Sequence, residues 1–324
     1  MDLREDPQAS KIDALQDRCK RLEKLNKMLA DQLQGHNEAS AVPKAMPSIR
    51  VPESGGYIRI SLGDTHGNLL DQAAVAAFLA DLEVLSPSVR EIVLGGDMME
   101  CGGWLAAHHT LGYVKQTAQS FRQDVATTNW LLDRITEIAE LAHIDYLEGN
   151  HERRLEQWVL TSTANHPEDA EMLRQIVCPE SVLSLPDRNI EFHRIGEQHD
   201  NLPINGTLKR GRMYFTHGFT TCKHAADQTL QKMGGNTTYF HTHRRDAAHK
   251  KTVEAGTIGA WCPGCLCKLV PLWRHNAPND WVHGYGLDLV RDNGDFLHIN
   301  VPIIDGKSYM NPLLQQGFKE QGST

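Results

Sequence analysis

The chain lacks long hydrophobic segments and has few aromatic residues. Its apolar runs are much shorter than the roughly 20 residues that a membrane-spanning helix needs, and aromatic residues make up only 6% of its 324 residues. The first forty residues are polar and charged, without the apolar core of a secretory signal peptide. We therefore expect a cytoplasmic protein with reduced thiols and no membrane partner.

Basic residues are also in short supply, with 33 Lys and Arg against 41 Asp and Glu, a formal charge of −8. Binding to nucleic acid without sequence preference depends on clustered basic side chains that neutralise phosphates. The composition therefore argues against a general nucleic-acid-coating protein, while a local basic groove stays open. Histidine, by contrast, is abundant: there are 17, and imidazole is the commonest metal ligand in proteins.

The N-terminal segment predicts a separate helix. A seam of apolar residues with one asparagine recurs at alternating spacings of three and four: Ile12, Leu15, Cys19, Leu22, Asn26, Leu29 and Leu33. A polar Asn on such a seam fixes the register of a two-stranded coiled coil. We expect a coiled-coil helix over residues 1–35 that makes the protein a homodimer. An amphipathic helix packed on its own domain is the alternative.

The rest of the chain predicts one large domain. Residues 36–56 are rich in Gly, Ala, Ser and Pro and are typical of a linker. From Tyr57 onward, short β-rich segments such as Tyr57–Leu62 alternate with helical ones such as Pro167–Ile176. The last third is mostly strand, including a predicted strand over 251–258. This pattern indicates an α/β domain over residues 57–305, followed by a C-terminal tail over 306–324.

Five short motifs each follow a predicted strand and contain side chains that bind metals. The motifs are GDTHG, GGD, GNHE, THG and HTH, and their candidate ligands are Asp64, His66, Asp97, Asn150, His217, His241 and His243. Any one of them also occurs in ordinary turns. Five in order, each at the carboxyl end of a strand where α/β sheets place their sites, indicate a common metal centre.

The ligands divide into two sets that share one carboxylate. Asp97 has two oxygens and can bridge two cations. Asp64, His66 and His243 complete one set, and Asn150, His217 and His241 complete the other. Mixed nitrogen and oxygen ligands predict two divalent metal ions, with manganese preferred, iron and zinc as alternatives, and magnesium less suited because it prefers an oxygen shell.

The order of these motifs resembles the calcineurin-like metallophosphoesterase superfamily, from about Tyr57 to Arg244. The segments GCL and W-x-x-G-Y of the last third are similar to bacterial and phage-type members. The resemblance implies a calcineurin-like four-layer β-sandwich flanked by helices. It also implies a metal-dependent phosphoesterase, a hydrolase acting on ester bonds.

The sequence departs from the family's patterns at two places. The first three motifs also resemble those of the serine/threonine phosphoprotein phosphatases, but this chain has Glu100 in place of their Asp and Cys101 in place of their phosphate-binding Arg. The last motif of the superfamily usually begins with Gly, where this chain has Phe240. The loss of the Arg favours a phosphodiester substrate, as in a nuclease or nucleotide phosphodiesterase. A phosphomonoesterase or protein phosphatase is the alternative.

The resemblance also implies catalytic roles. His151 would be the general acid that protonates the leaving group, because its pKa lies near neutrality. Glu100 would orient His151 or raise its pKa, with a solvated loop carboxylate as the alternative. Arg153 and Arg244, each one of an arginine pair, would bind the substrate phosphate bidentately, with surface arginines as the alternative.

Two further interpretations stay open. The protein could be a coiled-coil adaptor whose metal-binding domain is a non-catalytic scaffold. Cys262, Cys265 and Cys267 form C-x-x-C-x-C, which we interpret as reduced packing cysteines, with a structural zinc site as the alternative.

Overall fold

A computed structural model describes residues 56–106, 120–271 and 277–310. The predicted coiled-coil helix lies outside these residues, as do nearly all of the linker and most of the predicted tail. Among the described helices, none has both the length and the apolar character of a membrane span.

The described residues form strands, α-helices and short 3₁₀ turns. The strands are β1 (Tyr57–Leu62), β2 (Val89–Leu94), β3 (His143–Leu147), β4 (Ile190–His193), β5 (Thr207–Arg210), β6 (Met213–Thr216), β7 (Thr237–Tyr239), β8 (Arg245–Thr252), β9 (Gly256–Pro263), β10 (His283–Val290), β11 (Phe296–Ile304) and β12 (Lys307–Ser308). The α-helices are α1 (Gln72–Leu85), α2 (Phe121–Ile138), α3 (Arg153–Ser162), α4 (Pro167–Ile176), α5 (Pro179–Val182) and α6 (Ala225–Met233).

Two mixed sheets carry the fold. The larger has the strand order β12-β11-β10-β1-β2-β3-β4, and the smaller has the order β5-β6-β7-β9-β8. Strands β1 to β4 are parallel to one another, and so are β6, β7 and β9. Every other pair of neighbouring strands in the two sheets is antiparallel. Parallel neighbours bring the loops after β1, β2 and β3 to one edge of the larger sheet, and the loops after β6 and β7 to one edge of the smaller sheet.

The two longest described helices begin at residues whose side chains cap them. The Asp71 carboxylate accepts from Ala74 N at the start of α1, and the Ser120 hydroxyl accepts from Gln123 N at the start of α2. Such caps satisfy backbone donors that have no partner inside the helix. Both helices then bury apolar side chains against the larger sheet, for example Phe78 of α1.

Three hydrophobic clusters show how the layers stack. Helices α1 and α2 cover one face of the larger sheet. Its other face packs on the smaller sheet through a cluster of five buried side chains: Val93, Leu147, Leu208, Met213 and Phe215. Helix α6 covers the outer face of the smaller sheet. The order helix, sheet, sheet, helix confirms the predicted four-layer α/β sandwich flanked by helices.

One predicted strand was wrong. The sequence predicts a single strand over 251–258, but residues 253–255 form the turn of the hairpin between β8 and β9. Val253 occupies the turn fully exposed, so an apolar residue gave a misleading β signal there.

Candidate metal centre

All five motif loops meet at one place. The loop after β1 bonds to the loop after β2 through its backbone, with Asp64 N donating to Gly96 O at 3.0 Å and His66 N donating to Asp97 O at 2.9 Å. The loop after β7 joins them because His241 N donates to Asp64 Oδ2 at 2.9 Å. The strand ends of both sheets therefore contribute to a single site.

The first half of the centre consists of Asp64, His66 and His243. Asp64 Oδ1 lies 3.3 Å from His243 Nε2 and 4.0 Å from His66 Nε2, and the two histidine Nε2 atoms are 3.1 Å apart. All three residues are buried. Atoms at these separations can bind one ion, because metal–ligand bonds of about 2.0–2.2 Å place neighbouring ligand atoms close together.

The second half consists of Asn150, His217 and His241 on the other side of Asp97. His217 Nε2 lies 3.1 Å from Asn150 Oδ1 and 3.3 Å from Asp97 Oδ2. Asp97, His217 and His241 offer ligand atoms within 4.8 Å of one another. Asp97, Asp64 and His66 also offer ligand atoms within 4.8 Å of one another. Asp97 therefore takes part in both halves, the position expected of a bridging carboxylate.

A buried oxygen without a hydrogen bond marks the centre as a cation site. Asp64 is fully buried, and its Oδ1 has no hydrogen-bond donor among the described residues, whereas its Oδ2 is satisfied by His241 N. Leaving a buried carboxylate oxygen unsatisfied costs free energy. A divalent cation beside Oδ1 would supply the missing partner, so the donor set fits a metal.

The backbone is strained at the candidate ligands. Asp64, His66, Asp97, His241 and His243 have φ values of 53°, 52°, 51°, 75° and 59°. Residues with side chains rarely adopt this left-handed region, and such strain persists where the surrounding structure imposes it. The strain aims all five side chains into a common space.

Charge pairing shifts the pKa values of the cluster in opposite directions. Burial alone would raise the pKa of Asp97, but His151 and His217 lower it well below its usual value. Burial would lower the pKa of His217, but Asp97 and Asp64 raise it to about 9. In the same way the pKa of His243 rises to about 10, chiefly through Asp64. His217 and His243 would therefore carry an extra proton at neutral pH when no metal ion is bound, and metal binding would release those protons.

Glu100 is buried and hydrogen-bonded, not solvated. Only 3% of Glu100 is exposed, and its Oε2 lies 2.8 Å from His66 Nδ1 and 3.3 Å from His151 Nδ1. Burial would raise the pKa of Glu100, but hydrogen bonds from His151 and His66 lower it. Against the effect of burial, Asp97 and Glu100 raise the pKa of His151. Glu100 is therefore not a solvated loop carboxylate, and its role in orienting His151 stays a prediction.

His151 lies at the mouth of the centre. Its Nδ1 donates to Glu100 O at 2.7 Å, and its Nε2 lies 3.8 Å from Asp97 Oδ2. Arg154 donates from Nη2 to His151 Nε2 at 3.0 Å and from Nη1 to Glu100 O at 2.9 Å. Both ring nitrogens of His151 are thus held, Nδ1 by Glu100 O and Nε2, on the side of the centre, by Arg154.

Neither of the two arginines predicted to bind phosphate, Arg153 and Arg244, lines the cavity that opens over the metal centre. Arg153 is exposed, and its neighbour Arg154 lines the cavity instead, because a one-residue step on helix α3 turns a side chain by about 100°. Arg244 donates to the carbonyls of Thr221 and Cys222 and holds that loop. Arg154 therefore lines the cavity where Arg153 was expected, and Arg244 contacts a loop; binding of phosphate by any of them stays a prediction.

Two buried carboxylates of the site were missed by sequence reasoning. Glu152, the last residue of GNHE, accepts from four donors: Asp97 N, Met99 N, Gly149 N and Tyr146 Oη. Asp124 of helix α2 accepts from Glu100 N and Cys101 N, and burial raises the pKa of Asp124 to about 7. The motif could have pointed to Glu152, but nothing in the sequence marks Asp124.

Phe240 replaces the usual glycine of the last motif without blocking the centre. Its ring is fully buried and lies against Gly63 and Gly95, where a Cβ would come within 2.9 Å and 2.1 Å of ring atoms. The two glycines before the first two ligand loops thus make room for the ring.

A cavity of about 170 Å³ opens over the centre. Besides ligand candidates and His151, it is lined by Leu69, Glu100, Arg154, Cys267, Lys268, Pro271 and Trp281. The Trp281 ring lies 4.1 Å from the ring of His243. The cavity therefore combines the acidic and histidine cluster with two cationic side chains and an apolar wall.

The three clustered cysteines do not form a common metal site. Cys262 Sγ lies 3.4 Å from the Thr242 hydroxyl, and Cys265 Sγ donates to Val282 O. Among the described residues, the one group of potential ligands that contains a cysteine joins Cys267 to His66 and His243. Cys265 and Cys267 interact with each other and both interact with His243, whereas Cys262 contacts Thr242, so the described contacts do not gather all three sulfur atoms around one point.

No family model matches the chain, and no curated protein does. Three solved structures that are similar are a metallophosphoesterase from Sphaerobacter thermophilus (13% identity, 83% of this chain and 95% of that chain, TM-score 0.37), Vps29 from Chaetomium thermophilum (9%, 75% and 96%, 0.31) and the hypothetical protein PH1004 from Pyrococcus horikoshii OT3 (10%, 83% and 94%, 0.35). At these TM-scores the likenesses carry no argument about activity.

Proposed function

We propose that this protein hydrolyses a phosphate ester with two divalent cations, and that a phosphodiester is the preferred substrate. The observation that carries the proposal is the sharing of Asp97 by two ligand sets, one with Asp64, His66 and His243 and one with Asn150, His217 and His241. Cations bound there would polarise the phosphoryl group and generate the nucleophile at neutral pH.

His151 is the proposed general acid. Hydrolysis expels an alkoxide that needs a proton, and His151 Nε2 faces the centre while Nδ1–H is held by Glu100 O. The negative charges of Glu100 and Asp97 favour the protonated imidazolium. The proton on Nε2 passes to the leaving oxygen, and His151 is left neutral.

Arg154 is the proposed phosphate-binding residue. Its guanidinium lines the cavity and donates to His151 Nε2. A substrate phosphate would be a stronger acceptor, because a charge-assisted pair with an arginine exceeds a bond to a neutral ring. Substrate binding would thereby draw Arg154 away from His151, and Nε2 would take up a proton from water, which the charges of Asp97 and Glu100 favour.

The preference for a diester rests on Cys101. It stands where the serine/threonine phosphatases have a phosphate-binding arginine, and it is fully buried, so it offers no charge to a second phosphate oxygen. Manganese-loaded protein should hydrolyse bis(p-nitrophenyl) phosphate faster than p-nitrophenyl phosphate. The reverse order would favour the monoesterase. Cleavage of DNA or RNA that weakens steeply with salt would identify a nuclease.

Manganese is the proposed ion, with iron or zinc as alternatives. The donors are imidazole nitrogens, carboxylates and one amide oxygen, a set that suits these ions better than magnesium. Activity restored to chelated protein by each metal in turn, with metal content measured on the same samples, tests the order.

The adaptor remains a second candidate function, because the seam of the N-terminal segment favours self-association. Wild-type protein that hydrolyses no ester with manganese, zinc, iron or magnesium would support it. The homodimer itself is tested by the mass in solution of the full chain, which should halve in Leu22→Lys/Leu29→Lys.

A further inference from the structure

Candidate ligand histidines of the centre hold one ring nitrogen away from it. His66 Nδ1 lies 2.8 Å from Glu100 Oε2, and His217 Nδ1 lies 2.8 Å from Gly95 O, while the Nε2 atoms face the centre. An acceptor at Nδ1 fixes the proton there and leaves the Nε2 lone pair free to bind a cation. We call the acceptor at Nδ1 the anchor of each histidine.

His243 follows the same pattern with a sulfur atom. Its Nε2 lies 3.3 Å from Asp64 Oδ1 in the centre, and its Nδ1 lies 3.6 Å from Cys267 Sγ. Only 5% of His243 and 2% of Cys267 are exposed, so bulk water has little access to the contact. Sulfur is a weak acceptor compared with the carboxylate and carbonyl oxygens that hold the other rings.

The backbone fixes the sulfur opposite the ring independently of any ligand. Cys267 forms an antiparallel bridge with Leu70, in the segment that follows the first ligand loop. Val282 N donates to His243 O at 2.9 Å, and Val282 O accepts from Cys265 N at 3.0 Å. The short segment from Cys265 to Cys267 is therefore tied to the chain after the first ligand loop through Cys267 and, through Cys265 and Val282, to the loop that carries His243.

We propose that Cys267 is a positioning residue whose sulfur accepts the Nδ1–H of His243 and so directs the Nε2 lone pair onto the cation beside Asp64. The inference rests on the proposed metal centre. It gives a role to the last cysteine of C-x-x-C-x-C that differs from a structural zinc ligand. It also makes the first half of the centre dependent on a free thiol.

The test uses the full chain loaded with zinc and labelled with ¹⁵N at histidine. In wild-type protein, His243 should show a slowly exchanging Nδ1–H resonance, assigned by its absence from His243→Gln. In Cys267→Ala this resonance should disappear, and the affinity for one of two zinc equivalents should fall about 10- to 100-fold, as for other outer partners of metal ligands. Cys267→Ser should retain part of the resonance and part of the zinc affinity, because a hydroxyl oxygen also accepts a hydrogen bond.

Cys262→Ser is the matched control, because Cys262 is a buried cysteine of the same segment whose sulfur contacts Thr242. It should leave the resonance and both affinities unchanged. Unchanged zinc binding and an unchanged His243 resonance in Cys267→Ala would overturn the inference alone. So would a sulfur-to-cobalt charge-transfer band that Cys267→Ala abolishes, since Cys267 would then be a ligand itself. Wild-type protein that binds no zinc, cobalt or manganese would overturn the inference and the proposed function together.

Discussion

The two halves of the metal centre are built differently. Asp64, His66 and His243 are nearly or fully buried, whereas Asn150 and His241 are half-buried and reach the surface. The first half is therefore the more enclosed, although His217 of the second half is also buried and the cavity over the centre is lined by His66 and His243 as well as by His241.

The anchors of the histidines also differ between the two halves. In the first half, the side chains of Glu100 and Cys267 hold the histidines, while in the second the backbone carbonyl of Gly95 holds His217. A substitution can remove a side-chain anchor but not a carbonyl. Metal binding in the first half can thus be weakened by substituting an anchor. Metal binding in the second half can be weakened mainly by substituting a ligand.

Loss of the shared ligand should have the largest effect. Asp97→Ala removes the residue common to both halves, and we expect activity to fall by more than about 100-fold, because even outer partners of metal ligands typically cost 10- to 100-fold. Metal content should fall in both halves, measured by elemental analysis of the purified protein. His241→Ala is the control and should reduce mainly the second half. Two ions retained in Asp97→Ala would show that Asp97 is not shared.

Loss of the general acid should lower the rate without loss of metal. In His151→Asn we expect kcat to fall about 10²- to 10⁴-fold, with unchanged metal content. The loss should be smaller for p-nitrophenyl esters than for alkyl esters, because a good leaving group needs less protonation. Equal losses with both esters would contradict the role of His151.

Glu100→Gln should separate the halves and shift the pH profile. Glu100 raises the pKa of His151, so removal of its charge should lower that pKa. The general acid acts when protonated, and the alkaline limb of the kcat/KM profile should therefore move to lower pH. Zinc affinity should fall only in the first half, because His66 loses a charged acceptor. Glu100→Asp, which keeps the charge, should leave the limb closer to its wild-type position.

Glu152→Gln should have the smallest effect on chemistry and a clear effect on stability. Its carboxylate accepts from the backbone around Asp97 and from Tyr146, and an amide cannot accept at both ends. We expect a loss of about 1–3 kcal/mol in the free energy of unfolding, the cost of unsatisfied buried donors, measured by denaturant titration. The exposed Glu168→Gln should change stability by less than about 0.5 kcal/mol.

Much of the fold was readable from the sequence. The segment Tyr57–Leu62 and the helix Pro167–Ile176 were predicted with the bounds that the structure shows, because strand and helix periods are local signals. The turn at 253–255 was missed, since its residues differ little from those of the strands beside it.

The sequence by itself determined which residues could bind cations, because ligand chemistry belongs to residue type and each motif follows a strand end. Only the tertiary structure decided which neighbours act on them. The choice of Arg154 over Arg153 depends on the rotation of helix α3, and the contacts of Asp124 and Cys267 join segments far apart in the chain. Such long-range contacts are set by packing between layers, which no local pattern encodes.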